Sequence, residues 1–522
     1  MKKIRSTALH RFRFLYIFLA VALLAGGISC AKPSPDTGSQ STEEKNNDTV
    51  TNSPTDTGGH SEEELLRPSE RNFGDKDYIM LTETNSFYFS LYVYEEEAAP
   101  TEFIDIALYA RQNLLSECYG VNLKLLNREE NALQDLINAS SGNTYLCDAV
   151  LINAKDSMSA AVSGYLLDIN SLPNLNLGAS YWDQRIQKEY RIGEMLFQLE
   201  GDHTYLDEMR TYIIAYNETV WNAYEIEDTW GTPYELVEPG DWTYSNMMSM
   251  IRDMGLDLNH DGKLNEQDRF GLVSEKSAPY YFFMGSGMKA VGNQNGTLTL
   301  NLLDQTYWQR MVDVLDDLMA IGTSTDVLIA NRDGTILDSD KWAAASNVFS
   351  FDRTLFRSTS LSAVTRLSDM TSGYGIMPIP AYTKGQNGYY CWVNPYNHQP
   401  LAIPATIRDV DYVTAVTEIF AYHSRYGADS LYNAFFDELA YSRLCRKPED
   451  YRMLQLIIDS KTFDIDYAAN LTGITRATEK LVNGNTGASA STVITSGRDS
   501  AKKTVQDFVT AITANRPNNP NP

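Results

Sequence analysis

Between residues 78 and 166 short apolar runs alternate with apolar stripes at helical spacing. Residues 78–81 read as a strand. Phe103, Ile106, Ala107, Ala110 and Leu114 then recur on one helical face, with Thr101 placed to cap the helix and Gly120 to stop it. Residues 121–126 form a second strand, and Leu133, Leu136 and Ile137 mark a second helix. Residues 146–152 are a buried strand, followed by a helix over 158–166. This alternation predicts a parallel sheet covered by helices on both faces, an α/β fold. The pattern then changes. Residues 192–199 and 211–216 read as strands around the polar stretch GDHTYLDEMR. Thr243 caps a helix whose buried stripe is Met247, Ile251 and Met254, and 270–273 is apolar again. Trp308, Met311, Val312, Leu315 and Met319 mark another helix. Residues 348–351 look like a short strand, as do 374–380, 389–393 and 401–404. Residues 410–426 are helical up to Gly427, and 504–514 form a last helix. No internal repeat is present.

The two ends of the chain differ from this body. Lys2, Lys3, Arg5, Arg11 and Arg13 precede the apolar run 14–24, a secretory signal. Gly27-Ile28-Ser29-Cys30 resembles the lipobox of bacterial lipoproteins, with Gly27 where Leu is usual. That resemblance implies a lipid on the Cys30 thiol and attachment to the outer face of the cell membrane. Residues 31–72 are rich in Ser, Thr, Asp, Glu, Gly and Pro, with almost nothing apolar before Leu65, and read as a disordered tether. The net charge of −25 disfavours nucleic acid and electrostatic attachment to anionic lipid. Cys118, Cys147, Cys391 and Cys445 show no metal-type spacing and read as free buried thiols, although an exported protein also permits a disulfide.

The densest chemistry lies in DLNHDGKLNEQD, residues 257–268. Asp257, Asn259 and Asp261 place side-chain oxygens at the first, third and fifth positions of a calcium-type loop. Gly262 stands at the sharp turn, Lys263 offers its carbonyl, Asn265 is ninth and Asp268 twelfth, where a bidentate Glu is usual. Leu264 can pin the loop to a core. Glu266, tenth, can close the shell in place of the short Asp268. The same residues would also make a metal-free loop of Asx turns.

Several segments, in this order, carry a wider resemblance. They are DAVLIN, GYLLDINSLPNLNL, YWDQ, IGEMLFQLEGD, YIIAYNETVW, the stretch from PYELVEPGDW through DRFGL, YGIMPIPAYTKGQNGYY, LAIPATIRD and MLQLIIDSKTFD. In this order the chain resembles the carbohydrate-type extracellular solute-binding proteins of bacterial ABC importers, the family that includes maltose- and alginate-binding proteins. The resemblance covers residues 77–469. It implies two α/β lobes of the type II periplasmic-binding-protein kind with ligand clasped between them. It places residues 73–205 and 398–445 in one lobe, and 206–397 and 446–514 in the other. The chain would cross near 202–210, 394–399 and Cys445. It implies a monomer that passes a carbohydrate to the membrane subunits of an ABC permease, with no catalysis. It also supports calcium at 257–268, with Glu266 completing the site. Cleft positions in the resembling family point to Trp182, Asp202, Phe351, Asp352, Arg353, Trp392 and Asn394. Rings would cover the sugar faces and polar groups would bond the hydroxyl rim. Each Trp is equally a core residue by type, and Asp352–Arg353 equally an ion pair. Trp242, beside its helix cap, is assigned to the core.

Other motifs fail on context. Gly285 begins GSGMKA, which leads into a turn and not into the helix a dinucleotide site requires. Ser500 and Lys503 lack the companion motifs of a Ser–Lys nucleophile. A surface glycoside hydrolase or lyase, and a peptide-binding protein on the same scaffold, are the alternatives.

Overall fold

A computed structural model describes residues 67–69, 71–83, 92–332, 336–367, 370–474, 478 and 489–517. The signal, the lipobox with Cys30 and nearly all of the tether lie outside these residues. In chain order the strands are β1 (Lys76–Glu83), β2 (Val121–Arg128), β3 (Ala149–Leu151), β4 (Tyr212–Asn217), β5 (Phe270–Ser274), β6 (Val291–Gln294) and β7 (Thr297–Leu300), then β8 (Val327–Ile329), β9 (Thr354–Ser360), β10 (Tyr374–Met377), β11 (Cys391–Trp392), β12 (Leu401–Ala402) and β13 (Lys461–Thr462).

Two sheets organise the molecule. The first runs β12-β3-β1-β2. Its β1, β2 and β3 are parallel, with Met80 opposite Ala149, and β12 closes it antiparallel with Leu401 opposite Leu151. Because side chains alternate across a strand, Ala149 and Leu151 enter one core with Tyr78 and Met80. Val150 and Ile152 enter another with Leu81 and Leu136. Both faces are therefore apolar at the centre of the sheet, where β1 and β3 read as hydrophobic runs, while the edge strand β2 is interrupted by Asn122 and Lys124. Gly120 ends the helix Phe103–Tyr119 in the left-handed conformation, φ 62°, and donates its N–H to Ser116 O.

The second sheet runs β10-β4-β9-β5-β8. Here β9, β5 and β8 are parallel, and β4 alone is reversed, pairing antiparallel with both β9 and β10. The helix Tyr244–Met250 is capped by Thr243, whose hydroxyl accepts from Asn246 N at 3.3 Å. Trp242 is buried in this lobe and donates to Pro378 O at 2.8 Å.

The chain passes between the lobes more often than the resemblance implies. It leaves the first lobe after Leu206 and enters β4 after Thr211, and it returns between Val393 and Leu401. After the helix Val410–Arg425, in the first lobe, Leu431, Phe435 and Leu444 join the core of the second. The chain comes back once more at β13, since Phe463 and Ile465 belong to the first lobe.

Two elements also span the lobes directly. The helix Ala490–Ala514 seats Ala490, Ile494 and Ala501 in the second core, and Phe508 and Ile512 in the first. The hairpin β6–β7 reaches across as well. Gly193 N donates to Gly296 O at 2.9 Å, and the Asn293 amide donates to Glu189 O and Arg191 O. A Cβ at Gly296 would stand 1.9 Å from Gly193 O, so only glycine permits this approach.

Three expectations change. Residues 192–199 do not form a strand but make isolated bridges, Ile192 to Met195 and Leu199 to Leu401. Residues 348–351 belong to the end of a helix, Lys341–Ser350. Asp340 caps that helix by accepting from Trp342 N and Ala343 N, and the alanines that follow favour it over the β-prone VFSF. Cys147, Cys391 and Cys445 are free thiols as expected, but Cys445 is only half-buried.

Candidate functional site

The parallel strands of the second sheet end toward the crossing segments. β4 starts there at Tyr212, and Tyr212 pairs with Ser360 at the end of β9. In the first lobe, the N–H of Ala154, just beyond β3, bonds to His398 O in the returning segment. The carboxyl ends of both strand sets thus meet across one junction, the usual place for a ligand in α/β folds.

Aromatic rings line this junction. Trp392 is fully buried, with Tyr212 at 5.3 Å, Tyr280 at 5.4 Å and Tyr467 at 4.8 Å between ring centroids. Tyr396, 39% exposed, stands edge-on to Tyr467 at 5.5 Å and carries Lys155 of the first lobe 5.2 Å above its ring. The Trp392 indole N–H is buried without a hydrogen-bond partner. The Tyr212 hydroxyl is shared between Glu275 and Asn394, and burial drives its pKa far up. Ring faces beside an open N–H donor and amide and carboxyl groups can stack on apolar C–H faces while bonding hydroxyls.

Beside this wall lies a buried ionic cluster built from both crossings and β13. Lys461 Nζ lies 2.5 Å from Glu208 and 3.4 Å from Asp183, and it also bonds Asp207. Burial alone would lower the Lys461 pKa, but these carboxylates outweigh it and raise it. Asp183, which also binds Arg185 at 2.6 Å, is held below the carboxylate range by Lys461 and Arg185 against its burial. Glu200 and Glu208 go the other way, pushed well up by burial and by Asp207. Glu200 lies 2.6 Å from His398 Nδ1, and burial depresses that imidazole to about 4.

His203 is buried between Trp182 and Phe420 with both ring nitrogens unpartnered, and burial lowers its pKa from 6.5 to about 3. Its unfolded form takes up a proton below 6.5 while the folded form does not. The stability it allows is therefore lost as pH falls through that value. The His203→Phe variant is expected to gain on the parent as pH falls, by about 2 kcal/mol near pH 5. Melting curves of both proteins between pH 7 and 4 test this; parallel curves would show that His203 titrates normally.

No family model matches the sequence, and no curated protein does. Solved structures do match in shape. A cyclo/maltodextrin-binding protein complexed with maltotetraose superposes with a TM-score of 0.53 at 12% identity, over 84% of this chain and 99% of that one. The GacH receptor of Streptomyces glaucescens, known with acarbose, gives 0.51 at 16% over 83% and 99%. An ABC substrate-binding protein from Listeria monocytogenes, in complex with cycloalternan, gives 0.51 at 11% over 83% and 99%. The fold is that of the two-lobe solute-binding proteins.

In this solute-binding fold the cleft brings together two of the residues expected from sequence, Trp392 and Asn394. Asp202 is near the first crossing but is engaged, accepting from Arg425 at 2.8 Å, and burial raises its pKa to about 6. Trp182 lies in the first-lobe core, edge-on to Tyr181 at 5.8 Å, with its N–H 3.4 Å from Glu418. Phe351, Asp352 and Arg353 precede β9, at the end of the sheet remote from the cleft, a strand length of about 20 Å away. Phe351 is 65% exposed under the Arg353 guanidinium, and Asp352 accepts from Asn217 and Ser372. Their place follows from residues 348–351 ending a helix and not a strand. Tyr212, Tyr280, Tyr467 and Lys461 were missed; the aromatic run 280–283 was the available signal.

The loop 257–268 is at that remote end too, beside Arg353, whose carbonyl accepts from Phe270 N. Leu264 packs on a small core with Phe270, Val273 and Val348. Asp257 accepts from Gly262 N at 2.8 Å, and Gly262 has φ 80°. Both Asp268 oxygens accept backbone N–H groups, from Leu258 and Asn265, and Glu266 accepts from Leu337 N. Among the described residues no group of three or more acid, His or Cys side chains converges on one point. One observation fits a hard cation: Asp257 Oδ1 is buried without a partner, and the carboxylates around it keep spare lone pairs.

Proposed function

We propose that this chain captures a carbohydrate between its lobes and delivers it to the membrane subunits of an ABC importer. In this role it acts as a lipid-anchored monomer and catalyses no reaction. The observation that carries the proposal is Trp392, set among three tyrosines at the lobe junction with its indole N–H unpartnered. Sugars bury their C–H faces on such rings, and hinge closure of the two lobes would exclude water from the hydroxyl contacts. The bound saccharides of the matching structures, maltotetraose, acarbose and cycloalternan, support the same class of ligand here. Among the described residues no helix is long and apolar enough to cross a membrane. The anchor is assigned to Cys30, and loss of metabolic lipid labelling in a Cys30→Ser variant tests it.

The expected result for the native protein is a saturable rise in melting temperature with some member of a glycan panel, accompanied by compaction in small-angle scattering. A panel without any shift would sink the carbohydrate proposal. Turnover of a polysaccharide, abolished by one Asp or Glu substitution, would replace it with a hydrolase or lyase.

Calcium at 257–268 is part of the proposal, as a clip that fixes a helix-to-strand turn. Asp257, Asn259, Asp261, Asp268 and the Lys263 carbonyl would hold it, with Asn265 or Glu266 completing the shell. Chelation is expected to lower the melting temperature by about 2–4 °C for each kcal/mol of binding energy lost, while ligand affinity measured well below the transition stays unchanged. Loss of affinity without loss of stability would give the loop a direct part in ligand capture.

A further inference from the structure

We propose that Asp207 and Glu208 share a proton in the folded protein, and that this proton holds the crossing segments together, so that the lobes part as pH rises. That the parting releases a saccharide rests on the carbohydrate-binding function above.

The two residues stand side by side in the short helix Leu206–Met209, at the end of the first crossing. Asp207 is 1% exposed and Glu208 8%. Their carboxyl groups are hydrogen-bonded to each other. Ionised carboxylates only accept, so a hydrogen bond between two of them needs a proton on one. Asp207 Oδ1 is also buried without any N–H or hydroxyl donor. Lys461 cannot supply one, because its three N–H bonds are met by Asp207 Oδ2, Glu208 Oε1 at 2.5 Å and Asp183 Oδ2 at 3.4 Å. A proton on Glu208 provides the missing donor.

The charges agree. Asp183, Glu200, Asp207 and Glu208 lie within each other's field, with Lys461 and Arg185 as the cations. Four carboxyl groups thus face two positive charges. His398 and His203 do not make up the difference, since burial lowers them to about 4 and about 3. Arg425 is spent on Asp202 at 2.8 Å. A buried site short of positive charge takes up protons instead. Glu208 is pushed up accordingly, by burial first and by Asp207 next.

The pair bears on every passage between the lobes. Lys461 lies in β13, opposite Cys391 and one residue from the pairing of Thr462 with Trp392. Glu200, which acts on both acids of the pair, is joined to His398 of the returning segment at 2.6 Å. Glu208 O accepts from Thr211 N at 3.1 Å, directly ahead of Tyr212. When the Glu208 O–H bond breaks and its proton leaves to water, two touching carboxylates repel. Relief comes from moving the helix Leu206–Met209 away from β13, which shifts one crossing against another and opens the hinge. Because the Glu208 pKa is raised, its contribution is present at low pH and is lost as pH rises through the folded value.

The test is made on the ligand-free full chain. Infrared difference spectra should show the C=O stretch of a protonated carboxyl group that disappears as pH rises. That band should be lost in Glu208→Gln and in Asp207→Asn, each of which replaces one acid of the pair by an amide, and kept in Glu200→Gln. Small-angle scattering should show the parent expanding over the same rise in pH. Glu208→Gln keeps the hydrogen bond to Asp207 and cannot ionise, so it should stay compact and hold its melting temperature where the parent's falls. A band unchanged in both variants of the pair would overturn the shared proton. A band lost as expected, with parent and Glu208→Gln equally compact at every pH, would overturn its hold on the lobes. A melting temperature higher in sodium or potassium chloride than in choline chloride at equal ionic strength, and level again in Glu208→Gln, would overturn it by putting a metal cation between the carboxylates. Failure of the glycan panel would remove saccharide capture and leave each of these results standing.

Discussion

Replacing Lys461 with methionine is expected to destabilise the protein by about 3–5 kcal/mol, because it strands buried carboxylates without their cation. Lys461 is buried and touches Asp183, Asp207 and Glu208. Its ammonium joins β13 to the first crossing, so these charges hold the lobes in register where the chain passes between them. Arg185 would remain, but it is committed to Asp183. Denaturant unfolding of the variant measures the loss, and a second change, Asp207→Asn, should return part of it. A melting temperature within a degree of the parent would mean that the cluster relaxes into water when the cation is lost. The pH dependence has two signs. Asp183 and Asp207 have pKa values below their ordinary 3.8, so their contribution is present above that value and is lost as pH falls below it. Glu200 and Glu208 lie above their ordinary 4.5, so theirs is present below that value and is lost as pH rises through the elevated folded values.

The second large effect is expected at Trp392. Trp392→Ala should lower saccharide affinity by about a hundredfold, since truncating a central aromatic anchor commonly costs 2 kcal/mol or more. It should also destabilise the fold by about 3–5 kcal/mol, because the ring is buried among Tyr212, Tyr280 and Tyr467. Trp392→Phe separates the two roles. It keeps most of the packing but removes the N–H, so stability should change little while affinity falls about tenfold. Calorimetry well below both transitions reads the binding effect free of unfolding. Equal affinity in Trp392→Phe and the parent would show that the indole N–H meets no ligand.

The sheets and most helices were legible because their signals are local. β1 and β3 carry continuous apolar runs, β2 alternates Val121, Leu123 and Leu125 with polar residues, and the helices at Thr243 and Val410 carry their own caps and stripes. Residues 192–199 misled for the same reason: they are apolar enough for a strand, yet their partners are single residues such as Leu401, some two hundred positions away. The site was half legible. Trp392 and Asn394 stood out because they lie just ahead of a crossing. The tyrosines around them come from three other segments, and no spacing in the sequence announces that Tyr212, Tyr280 and Tyr467 meet.

The order in which the chain is made has a bearing on how it can fold. The sheet of the first lobe begins at Lys76 but is closed by Leu401 and Ala402, after the whole second sheet has been synthesised. Its core then waits for Phe463 and finally for Phe508 and Ile512. The second core in turn needs Ala490 and Ile494. A nascent chain therefore holds incomplete apolar cores until Ile512 has been made. Closing such long loops slows folding, and any copy stopped short exposes unfilled core to proteases and to other unfinished chains.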